Sequence, residues 1–197
     1  MSRISKIPRE SWAPELAVAY GEQDASELQL GLTRMFAHKP AAAVAVMGLM
    51  RALRQSRELS DRLIELVRLR IAFHNQCRSC MAVRYRDADG KGIDEGLVCS
   101  LERPMEAPNL LDSERAALAF ADLFATDHLA IDASTYDGLR RHFTEAQIVE
   151  LGLNCVMFVG IGRLGATWDM VEELPEAYQD HSRKLAPWMN APVAMKG

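Results

Sequence analysis

SDRLIELVRLRIAFHNQCRSCMAVRY, residues 60–85, runs from a helix-capping serine into two cysteines separated by two residues. Ser60 supplies an N-cap oxygen and Asp61 a first-turn acid, and Leu63, Ile64, Val67 and Ile71 then form an apolar stripe as far as Phe73. Asn75 and Gln76 interrupt this pattern. Cys77 is then expected to open another helix, ending near Gly90-Lys91-Gly92. On such a helix Cys77, Cys80 and Arg84 share one stripe.

That spacing has a chemical meaning. Free amide N–H groups at a helix start, with a guanidinium close by, stabilise a thiolate. A thiolate attacks peroxides, and a second cysteine one turn away can condense with the resulting sulfenic acid to a reducible disulfide. Two other readings of the pair stay open, half of a zinc site and inert helical cysteines. Zinc requires four ligands, and His74 with the isolated Cys99 and Cys155 leaves the set incomplete, so no metal or cofactor is expected. Cys99 and Cys155 read as small apolar fillers.

Two more side chains are candidates. Glu65 precedes Cys77 by twelve residues, and a helical hairpin would return its carboxylate toward the thiols as a base. The alternative is a solvated, mutually paired face of Asp61, Glu65 and Arg68. His74, three residues before Cys77, is either a proton shuttle in the hairpin turn or an exposed turn residue. His38 suits the end of a helix.

Outward from this segment the pattern stays helical, with no alternating strand signal. Apolar residues at Leu28, Leu32, Met35 and Phe36 predict a helix stopping before Pro40, and a second helix starts there and runs to about Gln55. Asp112 or Ser113 caps a helix through Ala125, Asp132 caps a shorter one to about His142, and Thr144-Glu145-Ala146-Gln147 forms a capping box before a long apolar helix. Leu63-Ile64-Glu65-Leu66 has a weak echo in Ile148-Val149-Glu150-Leu151. The 197 residues, 49% of them hydrophobic, suit one domain over 1–197, with an irregular arm at 1–25, a helical body at 26–173 and a C-terminal arm at 174–197.

A net charge of -4 offers no basic field for nucleic acid or anionic lipid, so neither partner is expected. The first ten residues lack a signal-peptide pattern, and the apolar run from Ala41 to Met50 is too short to cross a bilayer. A cytoplasmic location is the expectation. In that reducing compartment a C-x-x-C pair points to chemistry or metal rather than a structural disulfide.

Glu65, the Cys77-x-x-Cys80 pair and the helical segment after it resemble the carboxymuconolactone decarboxylase and alkylhydroperoxidase D-like (AhpD-like) superfamily. Ser113 to Asp122, Tyr136 to Phe143 and Ile148 to Leu151 are similar to its later helices. The resemblance implies an all-α fold, a homo-oligomer (dimer, trimer or hexamer) and a metal-free dithiol that reduces a hydroperoxide. A small thiol or protein reductant would reopen the bridge. It also implies that Cys80 attacks, Cys77 resolves and Glu65 is the base. The family's histidine four residues after the second cysteine is Arg84 here, which cannot relay a proton. Arg84 is therefore expected to stabilise the thiolate, with His74 moving protons. Carboxymuconolactone-type decarboxylation and a non-enzymatic redox-sensing or binding oligomer are the alternatives.

Overall fold

Ser60 caps as expected, its Oγ accepting the Leu63 N–H at 3.2 Å, and the helix it starts spans Asp61–Asn75. This helix is the centre of the computed structural model, which describes residues 2–22, 25–87, 90 and 92–196. Four helices precede it: α1 (Pro14–Tyr20), α2 (Glu27–Leu30), α3 (Thr33–Phe36) and α4 (Pro40–Gln55), so Asp61–Asn75 is α5. After it come α6 (Arg78–Ala82), β1 (Val83–Tyr85), α7 (Glu95–Cys99), α8 (Asp112–Thr126), α9 (Ala133–Arg140), α10 (Glu145–Trp168), α11 (Glu176–Gln179) and β2 (Ala194–Lys196).

Helix α5 packs against both α8 and α10, which also touch each other. Its Leu66, Val67, Leu69 and Ile71 are fully buried, and each contributes about 1.5–3 kcal/mol by leaving water. The expected apolar stripe is thus an understatement, because Glu65 and Arg68 on the supposedly solvated face are buried as well. Two of the caps read from sequence at the later helices are present: Asp132 accepts from Thr135 N–H, and Thr144 and Gln147 cap α10 reciprocally. The cap expected of Asp112 or Ser113 is a correction, since Leu111 holds the N-cap position of α8 and its N–H donates to Glu114. A second apolar cluster, with Trp12, Leu16, Leu30 and Ala43, joins the first residues to α4.

The fold is the expected all-α one, with three local corrections. The helix predicted before Pro40 divides into α2 and α3 at Gly31, whose φ of +51° suits glycine. The helix predicted from Cys77 to Gly90-Lys91-Gly92 ends at Ala82; Lys91 lies outside the described residues. In its place β1 forms, and it pairs in parallel with β2 in the register Val83↔Ala194, although no strand was expected. The C-terminal arm supplies β2 and folds back over the cysteine segment.

Helix α10 is apolar and long enough to cross a membrane by length and composition, but much of it serves the core. Ile148, Leu151, Cys155, Gly162 and Gly165 are among its buried residues. A Cβ on Gly162 would lie 2.4 Å from Asn75 Nδ2, which donates to Phe158 O at 2.9 Å. A Cβ on Gly165 would lie 3.2 Å from Cys77 Sγ. These two glycines let the end of α5 and the cysteine turn come close to α10. Gly162→Ala is expected to destabilise the fold by about 1–3 kcal/mol in urea unfolding. Gly152→Ala, where a Cβ meets nothing within 4 Å, should instead be neutral or stabilising by up to about 1 kcal/mol.

Candidate active site

The chain leaves α5 through Gln76, whose φ of 50° is left-handed, and Cys77 N–H donates back to Ala72 O at 3.1 Å. This turn places Cys77 at the N-cap of the five-residue α6 and Cys80 inside it, with their Cα atoms 5.2 Å apart and a disulfide between them. The two sulfurs have different surroundings. Cys77 has no exposed surface and lies against Gly165. Cys80 is partly buried and lines a cavity of about 670 Å³.

A helix as short as α6 leaves its terminal carbonyls without partners of its own, and here each is satisfied from elsewhere. Arg68 Nη1 donates to Cys80 O at 2.8 Å, and Arg68 Nη2 donates to Val83 O at 2.7 Å. Arg84 Nη1 donates to Met81 O at 2.7 Å, and Val193 N–H donates to Ala82 O at 2.7 Å. Arg68 is in turn held by Glu65, which accepts from Nε at 2.6 Å and from Nη2 at 2.7 Å. Glu65 Oε1 also accepts Tyr85 N–H at 3.0 Å. The carboxylate therefore fixes both the arginine and the strand after the motif.

The cavity beside Cys80 is mainly apolar, with Leu28, Phe36, Met47, Met157, Phe158 and Ile161 in its walls. Glu65, Arg68, Tyr85 and Asn154 are polar groups that line it too. The Arg68 guanidinium lies 4.8 Å from the centre of the Tyr85 ring, a cation–π distance. Such an arrangement admits a molecule with an apolar body and a polar group next to Cys80.

Residues 40–123 match the model of the carboxymuconolactone decarboxylase family, a span that contains Glu65 and both cysteines. Over that span the chain is similar to the carboxymuconolactone decarboxylase family. Two uncharacterised proteins from strains of Mycobacterium tuberculosis are 34% identical to it over 113 residues, which is 56% of this chain. The chain spans 39% of the length of those relatives. Among solved structures, an uncharacterised peroxidase-related protein with an alkylhydroperoxidase AhpD core from Ralstonia eutropha has a TM-score of 0.68 at 17% identity, covering 90% of this chain and 94% of that one. A protein of unknown function from Agrobacterium tumefaciens, provisionally named an antioxidant defence protein AhpD, has a TM-score of 0.61 at 23% identity, covering 72% and 97%. Both show the AhpD-like fold.

Within this AhpD-like frame Cys77 and Cys80 are bonded and Glu65 is joined to Cys80 O through Arg68, whereas Arg84 and His74 go elsewhere. Arg84 does not share a helical stripe with the cysteines. It sits on β1 with no exposed surface, and its guanidinium donates to Glu95 at 2.9 and 3.0 Å and to Pro187 O at 3.0 Å, in addition to Met81 O. The strand reverses its direction relative to the expected helix, so it pins the C-terminal arm. His74 lies in the last turn of α5, with Nε2 2.6 Å from Asp122 Oδ1 on α8, and is not part of the lining around Cys80. Arg70 reaches the same carboxylate at 2.7 and 3.0 Å.

Sequence reasoning read Arg68 only as a solvated partner of Glu65 and Gln76 only as a break in the helical pattern, and it assigned neither of them, nor Arg78, the contacts they make. Gln76 clasps Leu185 through both its amide groups, and Arg78 donates to Tyr178 O and Arg183 O. Cys155 is the buried filler expected, and burial pushes its thiol up to about 12. Cys99 is a correction, being exposed at the end of α7 rather than packed. Among the described residues no group of three His, Cys, Asp or Glu converges to hold a metal ion.

Removing one partner of the buried Glu65–Arg68 pair leaves an uncompensated charge, so Arg68→Met should destabilise by about 3–5 kcal/mol. Glu65→Leu combined with Arg68→Met should recover part of that loss, and a double-mutant cycle by chemical denaturation reads the coupling. At Asp122, burial pushes the carboxyl up, but hydrogen bonds from His74 and Arg70 outweigh this and hold it below its ordinary range. The stabilisation from a depressed carboxyl is present above its unfolded value and is lost as pH falls through the folded value. Asp122→Asn should therefore cost about 1–3 kcal/mol at pH 7. The gap from the parent should close as acid protonates Asp122, which unfolding curves at several pH values measure.

Proposed function

We propose that this protein is a thiol-dependent hydroperoxide reductase working through the Cys77–Cys80 pair, and the observation that carries the reading is the asymmetry of the two sulfurs. Cys80 borders the apolar cavity, and Cys77 is sealed behind it within bonding reach. An attacking thiol needs access to peroxide, while a resolving thiol needs only its partner.

In the dithiol form the Cys80 thiolate attacks the distal oxygen of a hydroperoxide ROOH. The O–O bond breaks, and the leaving alkoxide takes a proton to become ROH, leaving Cys80 as a sulfenic acid. The Cys77 thiol then attacks that sulfur, forming the disulfide and releasing water. Two equivalents of an external thiol, or one dithiol protein, reopen the bridge and carry away the electrons. Glu65, which lines the same cavity as Cys80, is the proposed proton acceptor for the Cys80 thiol; Oε2 receives one Arg68 bond and keeps a lone pair for it. Arg68 supplies the positive field assigned to Arg84 on sequence grounds. The apolar walls favour an organic hydroperoxide over hydrogen peroxide.

The same reading includes a homo-oligomer in the cytoplasm. Its support is the outward face of α10, where Val149, Leu153, Val156 and Leu164 are exposed at helical spacing.

The test is peroxide consumption by the reduced protein, followed by peptide mapping. One equivalent of cumene hydroperoxide should convert two thiols to the Cys77–Cys80 bridge. Cys80→Ser should lower the rate at least about a hundredfold. Cys77→Ser should still react once and stall at a Cys80 sulfenic acid that dimedone traps. Turnover of a carboxylated lactone that survives both substitutions would overturn the peroxidase reading in favour of decarboxylation.

A further inference from the structure

A second cavity, of about 390 Å³, lies at the cysteine turn, and its lining is of opposite character to the first. Asn75, Gln76, Arg78 and Ser79 contribute from the turn, Gly165 and Ala166 from α10, and residues 181–184 from the C-terminal arm. Ser79, between the two cysteines, lines both cavities. Its Oγ is 3.7 Å from Cys77 Sγ.

The charge here is lopsided. Arg3, Arg78, Arg183 and Lys184 all line the cavity, in a chain whose net charge is -4. Against them the lining holds one carboxylate, Asp169, which His181 Nε2 approaches to 3.2 Å. Asp180 stands outside the lining, with its carboxyl held down chiefly by the Ser182 hydroxyl and amide and then by the fields of Arg183 and Arg78.

Arg78 makes the arrangement more than a surface cluster. It is 8% exposed, and the hydrogen bonds of its guanidinium go to the neutral carbonyls of Tyr178 and Arg183. Among the described residues no carboxylate is hydrogen-bonded to the guanidinium, whose charge meets the field of Asp180, so an anion beside it would gain a charge-assisted partner. Arg183 and Lys184 are exposed on the arm, Arg183 with its Nε 4.0 Å from Asp180 Oδ2, a loose surface pair that an anion can compete with.

We propose that this cavity binds a small anion carrying phosphate or carboxylate groups, held between the cysteine turn and the C-terminal arm. Arg78 gives the fixed charge, Arg183 and Lys184 close on the ligand from the arm, and the Ser79 hydroxyl offers a hydrogen bond at the turn. Because the site backs onto the residue between the sulfurs, a bound anion also opposes ionisation of the thiols set free when the bridge opens.

Isothermal titration of the full-length disulfide form at low ionic strength tests this, with inorganic phosphate in one arm and succinate in the other. Binding of either supports the site, and the arm that responds gives the ligand chemistry. Arg183→Gln with Lys184→Gln, both at exposed positions, should weaken that binding at least about tenfold. Arg140→Gln, outside the lining, should leave it unchanged. No heat from either anion up to about 10 mM, or an affinity the double variant does not reduce, overturns the proposal.

Discussion

The Glu65–Arg68 ion pair is the interaction on which the site rests. Burying two charges is unfavourable unless their hydrogen bonds are nearly complete, and here the pair is completed by backbone groups of the very segment it organises. Arg68 spends two bonds on Glu65 and two on the carbonyls of Cys80 and Val83, and Glu65 adds the Tyr85 N–H. With Arg84 on Met81 O and Val193 on Ala82 O, every carbonyl from 80 to 83 has a donor from outside α6. A helix of five residues is not self-sustaining, and this external set of donors is what allows it to stop at Ala82.

Several features of the site follow from that stop. Had the helix continued, Arg84 would have stood one turn beyond Cys80. Because the chain turns into β1, Arg84 points to Glu95 and the arm, and the positive charge beside Cys80 comes from the preceding helix. The carbonyl bonds hold the backbone on both sides of the disulfide, so redox chemistry at the sulfurs can proceed by side-chain motion within a fixed turn. Cys155 shows the contrasting case, a thiol buried in apolar packing, where the only influence is desolvation and the neutral form is favoured.

What the sequence made legible was local. Caps at Ser60, Asp132 and Thr144, the start of α4 at Pro40 and the apolar stripe of α5 are determined within a few residues and read correctly, whereas the cap expected of Asp112 or Ser113 falls to Leu111. The spacing of Glu65 and the cysteines pointed to residues of which Glu65 and Cys80 line one cavity. The partners of the α6 carbonyls were not legible, since they lie on Arg68 of the preceding helix, on Arg84 once the chain has turned into β1, and on an arm more than a hundred residues away. For the same reason the periodicity of Cys77, Cys80 and Arg84 suggested a helix that does not form. The Asp61, Glu65 and Arg68 face looked solvated because an i,i+3 pair has the same spelling on a surface and in a core. Even the echo between Leu63–Leu66 and Ile148–Leu151 hides a difference, for Glu150 accepts the amides of Glu58 and Leu59 where Glu65 holds an arginine.

The C-terminal arm belongs to the site rather than trailing from it. Gln76, Arg78 and Arg84, one just before the motif, one inside it and one just after, hold four carbonyls of the arm between them, those of Leu185, Tyr178, Arg183 and Pro187. Tyr178, Leu185, Met81 and Ala82 share an apolar cluster that these polar bonds surround. The cysteine turn is thereby gripped from two directions, by α5 through Arg68 and by the arm. Any group that loosens the arm must also disturb the turn between the sulfurs, which is the physical reason to treat positions 78 and 79, the variable pair of C-x-x-C, as part of the chemistry.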